Sequence, residues 1–402
     1  MGEETTRLYL EDPYRTEFEA RVVERLTHEQ SPAVVLDQTL FYPESGGQPA
    51  DWGQLDETEV VHVLEQDEKI LHVLDKPIAS DHVRGKIDWT RRFDHMQQHT
   101  GQHILSQSFH ELFEAETLAF HLGEAASVLE IDLREIDEAG VESVEMRANA
   151  IVQEGREIKS YFIQEDKAHE IPLRKPPKKR GELRIVEVSE YDYSACGGTH
   201  LRRSGEVGLI KISRWERIRN NIRFEFLCGR RALEDYIRKS SALRQLSLLL
   251  TAHEQDTPGA VEKMMAELKT ERKKTRQLQQ KYLEYEAQAV IQKSEGRIIK
   301  AVLSGRGRDE VRMLALNIIR AAPFVVVYGL KDEKGAHLVL ARSETIDIDL
   351  REFVPNLSSI LKGKGGGSAS LVEVAGQEKG QLEQAIEKAI ELIKTKIGSL
   401  PS

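Results

Sequence analysis

The sequence predicts an α+β protein of several domains. Its 402 residues are enough for two or three hydrophobic cores. Short strand-like runs dominate the beginning of the chain, whereas later stretches mix helical periods with β-branched runs. We expect four parts: a small β-barrel over residues 1–90, an α/β domain over 91–240, a helical coiled coil or hairpin over 241–297, and an α/β domain over 298–402.

The first part consists of short apolar runs separated by turn residues. The predicted strands are residues 33–36, 60–64, 70–74 and 83–89. Glycine and proline cluster between them, above all in the segment 43–49 (PESGGQP). Many short strands with such turns are typical of a small barrel or sandwich.

Two motifs in the second part carry the candidate metal ligands. His99 and His103 lie four residues apart on a helix predicted from about Arg91 to Phe113, so both rings lie on one helical face. Cys196 and His200 are also four apart, and the two glycines between them allow a tight turn. Three imidazoles and one thiolate form a complete ligand set for Zn²⁺.

One ambiguity remains at the level of spacing. His95 lies four residues before His99, just as His103 lies four residues after it. Spacing alone therefore does not decide which adjacent pair binds the metal.

Positive charge is concentrated around the second motif. Residues 171–231 carry a net charge of about +8, although the whole chain carries −10. The basic residues include Arg174, Lys175, Lys178, Lys179, Arg180, Arg202, Arg203, Lys211, Arg214, Arg217, Arg219, Arg223, Arg230 and Arg231. Such a segment in an acidic protein indicates an anionic partner such as a nucleic-acid backbone, and a solvated surface is the alternative.

The third part is charged and helical, and Pro258-Gly259 is expected to interrupt it. A heptad follows, with seven of nine a and d positions apolar or aromatic. Its positions are Val261, Met264, Leu268, Glu271, Thr275, Leu278, Tyr282, Tyr285 and Ala289. The pattern favours a coiled coil or long hairpin and a homodimer formed through these helices or the C-terminal domain. A single helix packed on its own chain is the alternative.

The last part alternates helix and strand patterns. A helical period over 311–322 precedes the buried-strand run 324–328, a second strand is predicted at 337–341, and an amphipathic helix at 382–393. The glycine-rich segment 363–368 matches neither a Walker loop nor a dinucleotide fingerprint. It is expected to be a flexible loop or a place where the backbone closely approaches a phosphate or another chain.

Composition narrows the class of protein. The chain has two cysteines and no apolar run long enough to span a bilayer, and its N-terminus lacks the pattern of a signal peptide. We therefore expect a protein of the reducing cytoplasm without a disulfide framework or a membrane partner.

The motifs resemble those of a known family. HTGQH (99–103) and CGGTH (196–200) are similar to the zinc motifs of the alanyl-tRNA synthetase editing domain and of its free-standing AlaX relatives. The segment 41–53 resembles their N-terminal glycine motif, and 88–99 resembles the lead-in to their zinc helix. Residues 363–368 resemble the glycine motif of the DHHA-type domain that ends long AlaX proteins.

The resemblance implies a trans-editing deacylase that hydrolyses mischarged Ser-tRNA(Ala), and Gly-tRNA(Ala) as a further candidate, without ATP-dependent activation of alanine. It assigns the zinc ligands as His99, His103, Cys196 and His200. It also suggests candidate substrate-side residues: Gly46, Gly47, Gln48, Gln102 and His121. The implied partner is tRNA(Ala).

Two other functions are compatible with the same residues. Four protein ligands close a tetrahedral site, which is the structural pattern for zinc, so a non-catalytic tRNA- or RNA-binding protein is the main alternative. A phosphoesterase would need a carboxylate-rich metal centre, and Asp94-His95 and Asp81-His82 lack the remaining ligands.

Overall fold

The computed structural model describes residues 4–177, 180–332 and 335–397. They form two compact units, 1–246 and 247–402. Both units contain β-sheet and several helices, so the expected multidomain α+β class is confirmed. The finer division into four domains stays a prediction.

The first unit contains most of the strands. Its strands are β1 (Thr6–Arg7), β2 (Glu17–His28), β3 (Ser31–Leu36), β4 (Gln38–Thr39), β5 (Gly53–Leu55), β6 (Thr58–Gln66), β7 (Lys69–Leu74), β8 (His82–Ile87), β9 (Thr117–Leu122), β10 (Ser127–Ile131), β11 (Ile158–Gln164), β12 (Glu182–Val188), β13 (Asp192–Ala195), β14 (Ile210–Ile218) and β15 (Asn221–Cys228). Its helices are α1 (Leu8–Glu11), α2 (Trp89–Phe113), α3 (Glu138–Glu154) and α4 (Gly229–Leu250). The boundary between the two units falls within α4.

A closed antiparallel barrel fills residues 17–87, with the strand order β2-β3-β7-β6-β5-β8. Strand β2 shows why the barrel has a core: Phe18, Ala20 and Val22 are buried, and the residues between them face outward. The loop 43–49 lies between β4 and β5 and leaves the barrel toward α2.

A buried ion pair fixes that loop's C-terminal end against α2. Arg92 and Asp51 have fully buried side chains, and the Arg92 guanidinium also donates to the Leu40 carbonyl at 2.6 Å. Asp51 in turn accepts from the Tyr42 N–H at 2.7 Å. A buried charge pair persists only when its hydrogen bonds are satisfied, as they are here, and so the loop is held rigidly beside the helix.

The rest of the unit surrounds α2. One sheet has the order β14-β15-β10-β9 and another has the order β11-β12-β13. The predicted helix from about 91 to 113 is confirmed as α2, and its buried side chains Ile104, Leu105 and Phe109 pack in the same core as Phe224 and Phe226 of β15.

The second unit is an α/β layer structure. Its strands are β16 (Ile298–Leu303), β17 (Val325–Asp332), β18 (Gly335–Arg342), β19 (Gly363–Gly367) and β20 (Leu371–Gly376), in the sheet order β16-β17-β18-β20-β19. Its helices are α5 (Thr257–Lys293), α6 (Arg308–Ala321), α7 (Val354–Ile360) and α8 (Leu382–Ile397). One sheet face packs against α8 and the other against α5 and α6.

Two details of this region differ from expectation, and a third leaves its prediction open. The helical stretch is interrupted at 251–256, and Pro258 lies in the first turn of α5, where the missing N–H needs no partner. The glycine-rich segment is not a loop but the edge strand β19. The buried residues of the C-terminal part of α5 are Leu283 and Ala287, whereas heptad residues such as Leu278 and Tyr285 are exposed. The coiled coil stays a prediction.

Within the described ranges, none of the helices combines the length and the hydrophobicity that a membrane span requires.

Candidate metal centre

Helix α2 presents the first two ligands. Asp88 caps its N-terminus by accepting from the Arg91 N–H at 3.1 Å, and the helix then runs for 25 residues without interruption. His99 and His103 lie one turn apart and are both buried, with ring centroids separated by 5.3 Å.

The loop after β13 presents the other two ligands. The Cys196 N–H donates to the Arg184 carbonyl at 3.0 Å, so the loop begins as a continuation of the sheet. Gly198 then packs flat against His99, because a Cβ at this position would lie 2.2 Å from the ring carbon Cε1. Only glycine allows this approach, which brings Cys196 and His200 to the helix.

The four ligand atoms converge. One atom from each of His99, His103, Cys196 and His200 lies within 4.8 Å of the others. The Cys196 Sγ is 3.5 Å from His99 Nε2 and 3.3 Å from His200 Nε2. These residues form a cluster that can hold a metal ion, and His95 is not part of it. The pair that spacing left open is therefore His99 and His103.

A second layer of groups orients the imidazoles. His99 Nδ1 is 2.8 Å from Gln48 Oε1, His103 Nδ1 is 2.9 Å from Asp192 Oδ2, and His200 Nδ1 is 3.2 Å from Thr100 Oγ1. With Nδ1 engaged in each ring, Nε2 is left to face the centre of the cluster. This arrangement of three imidazole nitrogens and one sulfur suits a tetrahedral ion.

Gln48 links both motifs. Its Oε1 also accepts from the Thr199 N–H at 3.2 Å, and its Nε2 donates to Thr199 Oγ1 at 2.9 Å. Gln48 is completely buried, behind the His99 ring and outside the cavity lining. The expected substrate-side residue is thus placed as a support for a ligand.

Asp192 supports the second histidine and was not identified from sequence. It accepts from His103 and, at 2.7 Å, from Arg174 Nε. Burial alone would raise the pKa of Asp192, but Arg174 and His103 outweigh it and lower the pKa to about 2. Burial would likewise lower the pKa of His103, yet its hydrogen bond to Asp192 raises the pKa to about 9. An ionised carboxylate can only accept, so this hydrogen bond places a proton on His103 Nδ1.

The surrounding imidazoles lower the pKa of the Cys196 thiol, which is the direction that metal binding requires. Burial would raise the pKa of Cys196, but His99 and His200 outweigh it and hold the pKa well below its usual value. A thiolate is the form that ligates metal. The other free cysteine, Cys228, is buried, and burial raises the pKa of its thiol.

A cavity of 640 Å³ opens onto the cluster. Among the expected substrate-side residues, Gly46 and Gln102 line it. Gly47 instead packs against β9, where its carbonyl accepts from the Leu122 N–H at 2.8 Å and a Cβ would lie 2.6 Å from the Phe120 carbonyl oxygen.

His121 does not line this cavity. It is exposed on β9, and the side chain that reaches the site is that of its neighbour Phe120, whose ring stacks on His99 at 5.3 Å. Successive residues of a strand face opposite sides, so an error of one position exchanges the two roles.

Part of the basic segment contributes to the cavity wall. Arg174, Lys175 and Arg184 line the cavity, as does the half-exposed Phe162. Lys178 and Lys179, which belong to the same predicted basic segment, lie outside the described residues.

Comparison with known proteins gives consistent matches. The family model described as "Threonyl and Alanyl tRNA synthetase second additional domain" matches residues 183–224, and the model "tRNA synthetases class II (A)" matches residues 14–91. The alanyl-tRNA editing protein AlaX-L of Pyrococcus horikoshii is 28% identical over 97% of this chain and 98% of its own length. The resemblance to the AlaX editing proteins is confirmed.

Two other relatives show how widely the similarity extends. The alanyl-tRNA editing protein Aarsd1-A of Xenopus laevis is 28% identical over 90% of this chain and 89% of its own length. The alanine–tRNA ligase of Pyrococcus abyssi is 31% identical over 97% of this chain but only 44% of its own length. The chain thus spans less than half of the ligases it matches, and nearly all of the AlaX-L protein. The DHHA-type assignment of the C-terminal part stays a prediction.

Proposed function

We propose that this chain is an aminoacyl-tRNA deacylase that edits mischarged tRNA(Ala) in trans, with Ser-tRNA(Ala) as the main substrate and Gly-tRNA(Ala) as a second one. The observation that carries the proposal is the convergence of two motifs, 97 residues apart between Cys196 and His99, at the wall of one cavity. Supporting it, AlaX-L and Aarsd1-A, both called alanyl-tRNA editing proteins, match nearly the whole chain.

Zinc is the ion we assign to the cluster. His99, His103, Cys196 and His200 would hold it, and the ion would supply a fixed positive charge that organises the substrate end of the cavity. Because all four groups are protein ligands, a tetrahedral ion would have no open position. We therefore assign recognition and positioning to the chain's own residues.

Gln102 is our candidate for recognising the serine hydroxyl. Its Nε2 donates to Ser106 Oγ at 2.7 Å, and Ser106 also accepts from Thr117 Oγ1 at 2.7 Å. These bonds fix the amide so that its Oε1, which makes no hydrogen bond within the described ranges, is the free acceptor on the cavity wall. An alanyl group, which lacks the hydroxyl, would leave that acceptor without this partner, at a cost of about 1–3 kcal/mol.

The backbone at Gly46 is our candidate for stabilising the developing oxyanion. Gly46 lines the cavity with a φ of +58°, and neither its N–H nor that of Gly47 donates a hydrogen bond to any described residue. Free amides beside an ester are suited to stabilising negative charge that forms on its carbonyl oxygen.

The partner in this proposal is tRNA(Ala), which the basic segment and the C-terminal unit bind. The compartment we propose is the cytoplasm. The exposed heptad residues of α5 support the further proposal of a homodimer through the helices or the C-terminal unit, since apolar side chains such as Leu278 are otherwise open to water.

One experiment tests the function directly. Release of the amino acid is measured from serylated, glycylated and alanylated tRNA(Ala), with and without a chelator. We expect release of serine to exceed release of alanine by at least about tenfold, and the chelator to abolish it. Gln102→Leu should reduce that preference while zinc binding survives. Tight tRNA binding without any deacylation would contradict the proposal and favour the non-catalytic RNA-binding alternative.

A further inference from the structure

Arg184 is a buried cation in the cavity wall. It lies on β12, its side chain lines the cavity, and the residue is 8% exposed. Its Nη1 donates to the carbonyls of Cys196 at 3.0 Å and Gly198 at 2.8 Å. Its Nε is buried without a hydrogen-bond partner among the described residues. The guanidinium is thus fixed beside the ligand loop, with part of its donor capacity unused.

Arg184 also has no carboxylate to balance its charge. The other described cations that line the cavity all have one: Arg7 pairs with Glu65 at 2.7 Å, Arg174 with Asp192 at 2.7 Å, and Lys175 with Glu116 at 3.6 Å. No acidic side chain of the described ranges lies within ion-pair distance of Arg184. The Cys196 thiolate is a nearby negative charge, but a metal ion on that sulfur would take it up. A buried cation without a carboxylate partner is costly, so a ligand anion is suited to balance it.

A base-stacking surface lies next to this cation. Phe162 of β11 pairs directly with Arg184 of β12 in the antiparallel ladder, so both side chains leave the same face of the sheet. Phe162 also lines the cavity and is 50% exposed, so its ring is accessible to a ligand that enters the cavity. Exposed aromatic rings of this kind stack on the bases of single-stranded RNA.

We propose that Arg184 binds the 5′ phosphate of the substrate's terminal nucleotide while Phe162 stacks on its base; this rests on the proposed function. The scissile ester and the 5′ phosphate are attached to the same ribose, so an ester beside the Cys196 loop brings its phosphate close to a guanidinium bonded to that loop. Arginine suits this role because its planar fork forms charge-assisted bonds to phosphate oxygens.

The test uses binding of small probes to the full chain loaded with zinc. Affinities are measured for adenosine 5′-monophosphate, adenosine and inorganic phosphate. We expect the monophosphate to bind about 10- to 100-fold more tightly than adenosine, and inorganic phosphate to bind weakly. In Arg184→Met this preference should fall to near one. Arg7→Met, which removes a cavity cation that already has a carboxylate partner, should keep it.

The ratio of the affinities for the monophosphate and for adenosine distinguishes phosphate binding by Arg184 from support of the Cys196 loop. If Arg184 only holds the Cys196 loop, its replacement weakens the binding of adenosine and of its monophosphate equally and leaves the ratio of their affinities unchanged, which overturns the proposal. A wild-type chain without preference for the monophosphate, or with equal affinity for inorganic phosphate, overturns it as well. Phe162→Ala should weaken the binding of adenosine and of the monophosphate by the same factor.

The outcome is distinguishable from failure of the deacylase function. If the preference for the monophosphate depends on Arg184 but no serine is released from tRNA, the nucleotide site is supported and the editing function is refuted. If the wild-type chain releases serine and Arg184→Met still prefers the monophosphate over adenosine, the phosphate site at Arg184 is refuted and the editing function is retained.

Discussion

Removing the Gln48 side-chain amide should weaken metal binding although Gln48 is not itself a ligand. In Gln48→Leu, the Nδ1–H of His99 and the N–H of Thr199 lose their acceptor, and the Thr199 hydroxyl loses its donor. All three groups are buried, and each unpaired group costs about 1–3 kcal/mol. Three such groups make a loss of about 3–9 kcal/mol in stability, and we expect zinc affinity to fall by about 10- to 100-fold.

The assay is competition with a chelator, followed by urea unfolding of the zinc-loaded protein. Gln48→Glu is the matched control, because it keeps an acceptor for His99 Nδ1 and the Thr199 hydroxyl can turn to donate to it. Its zinc affinity should stay within about threefold of wild type. If Gln48→Leu also binds zinc within that range, the orienting hydrogen bond does not matter and the reasoning is wrong.

Three further predictions follow from other contacts. Asp192→Ala should lower zinc affinity about 10- to 100-fold in the same competition assay, because His103 loses its acceptor and Arg174 its partner; unchanged affinity would contradict this. Burial lowers the pKa of His72 in the barrel from 6.5 to about 4, so its stabilising effect is complete above pH 6.5 and decreases by about 3 kcal/mol as the pH falls toward 4. His72→Gln should flatten that part of the melting-temperature profile, whereas a parallel profile would refute the assignment. Finally, stripping the metal should lower the melting temperature of the first unit, and a metal-free protein of equal stability would show that the cluster does not stabilise the fold.

The two metal motifs could be predicted from the sequence because their spacing carries the information. A four-residue interval on a helix places His99 and His103 on one face whatever surrounds them. The two glycines Gly197 and Gly198 likewise predict a tight turn after Cys196, and Gly198 allows close contact with the His99 ring. Local rules therefore sufficed for the ligands and for the helix that carries them.

The supporting residues follow no local rule. Gln48, Asp192 and Arg184 reach the cluster only because a barrel loop and a three-stranded sheet pack against α2. Their placement depends on strand register, and register also explains the exchange of His121 for Phe120. No single-sequence pattern fixes register across segments that are far apart in the chain.

Among the strands that the sequence did not predict, β2 and β19 were missed for different reasons. Strand β2 is rich in charged residues, although the alternation of Phe18, Ala20 and Val22 was a usable signal. Strand β19 consists of four glycines and one lysine, a composition that disfavours strands, and it forms because β20 provides a ladder for it. Tertiary pairing decided the second case and could not be read locally.

The hydrogen bonds behind the metal ligands limit where selectivity between amino acids can arise. Every imidazole of the cluster is held through Nδ1, and the loop that carries Cys196 is held by Arg184. A cluster fixed from behind in this way cannot easily adapt its geometry to different amino acids. In the proposed reaction, discrimination between serine and alanine would then reside in groups that face the cavity, of which Gln102 is positioned by Ser106 and Gly46 by its turn. Substitutions behind the ligands should therefore change metal affinity and overall rate, whereas substitution of Gln102 should change the ratio between substrates.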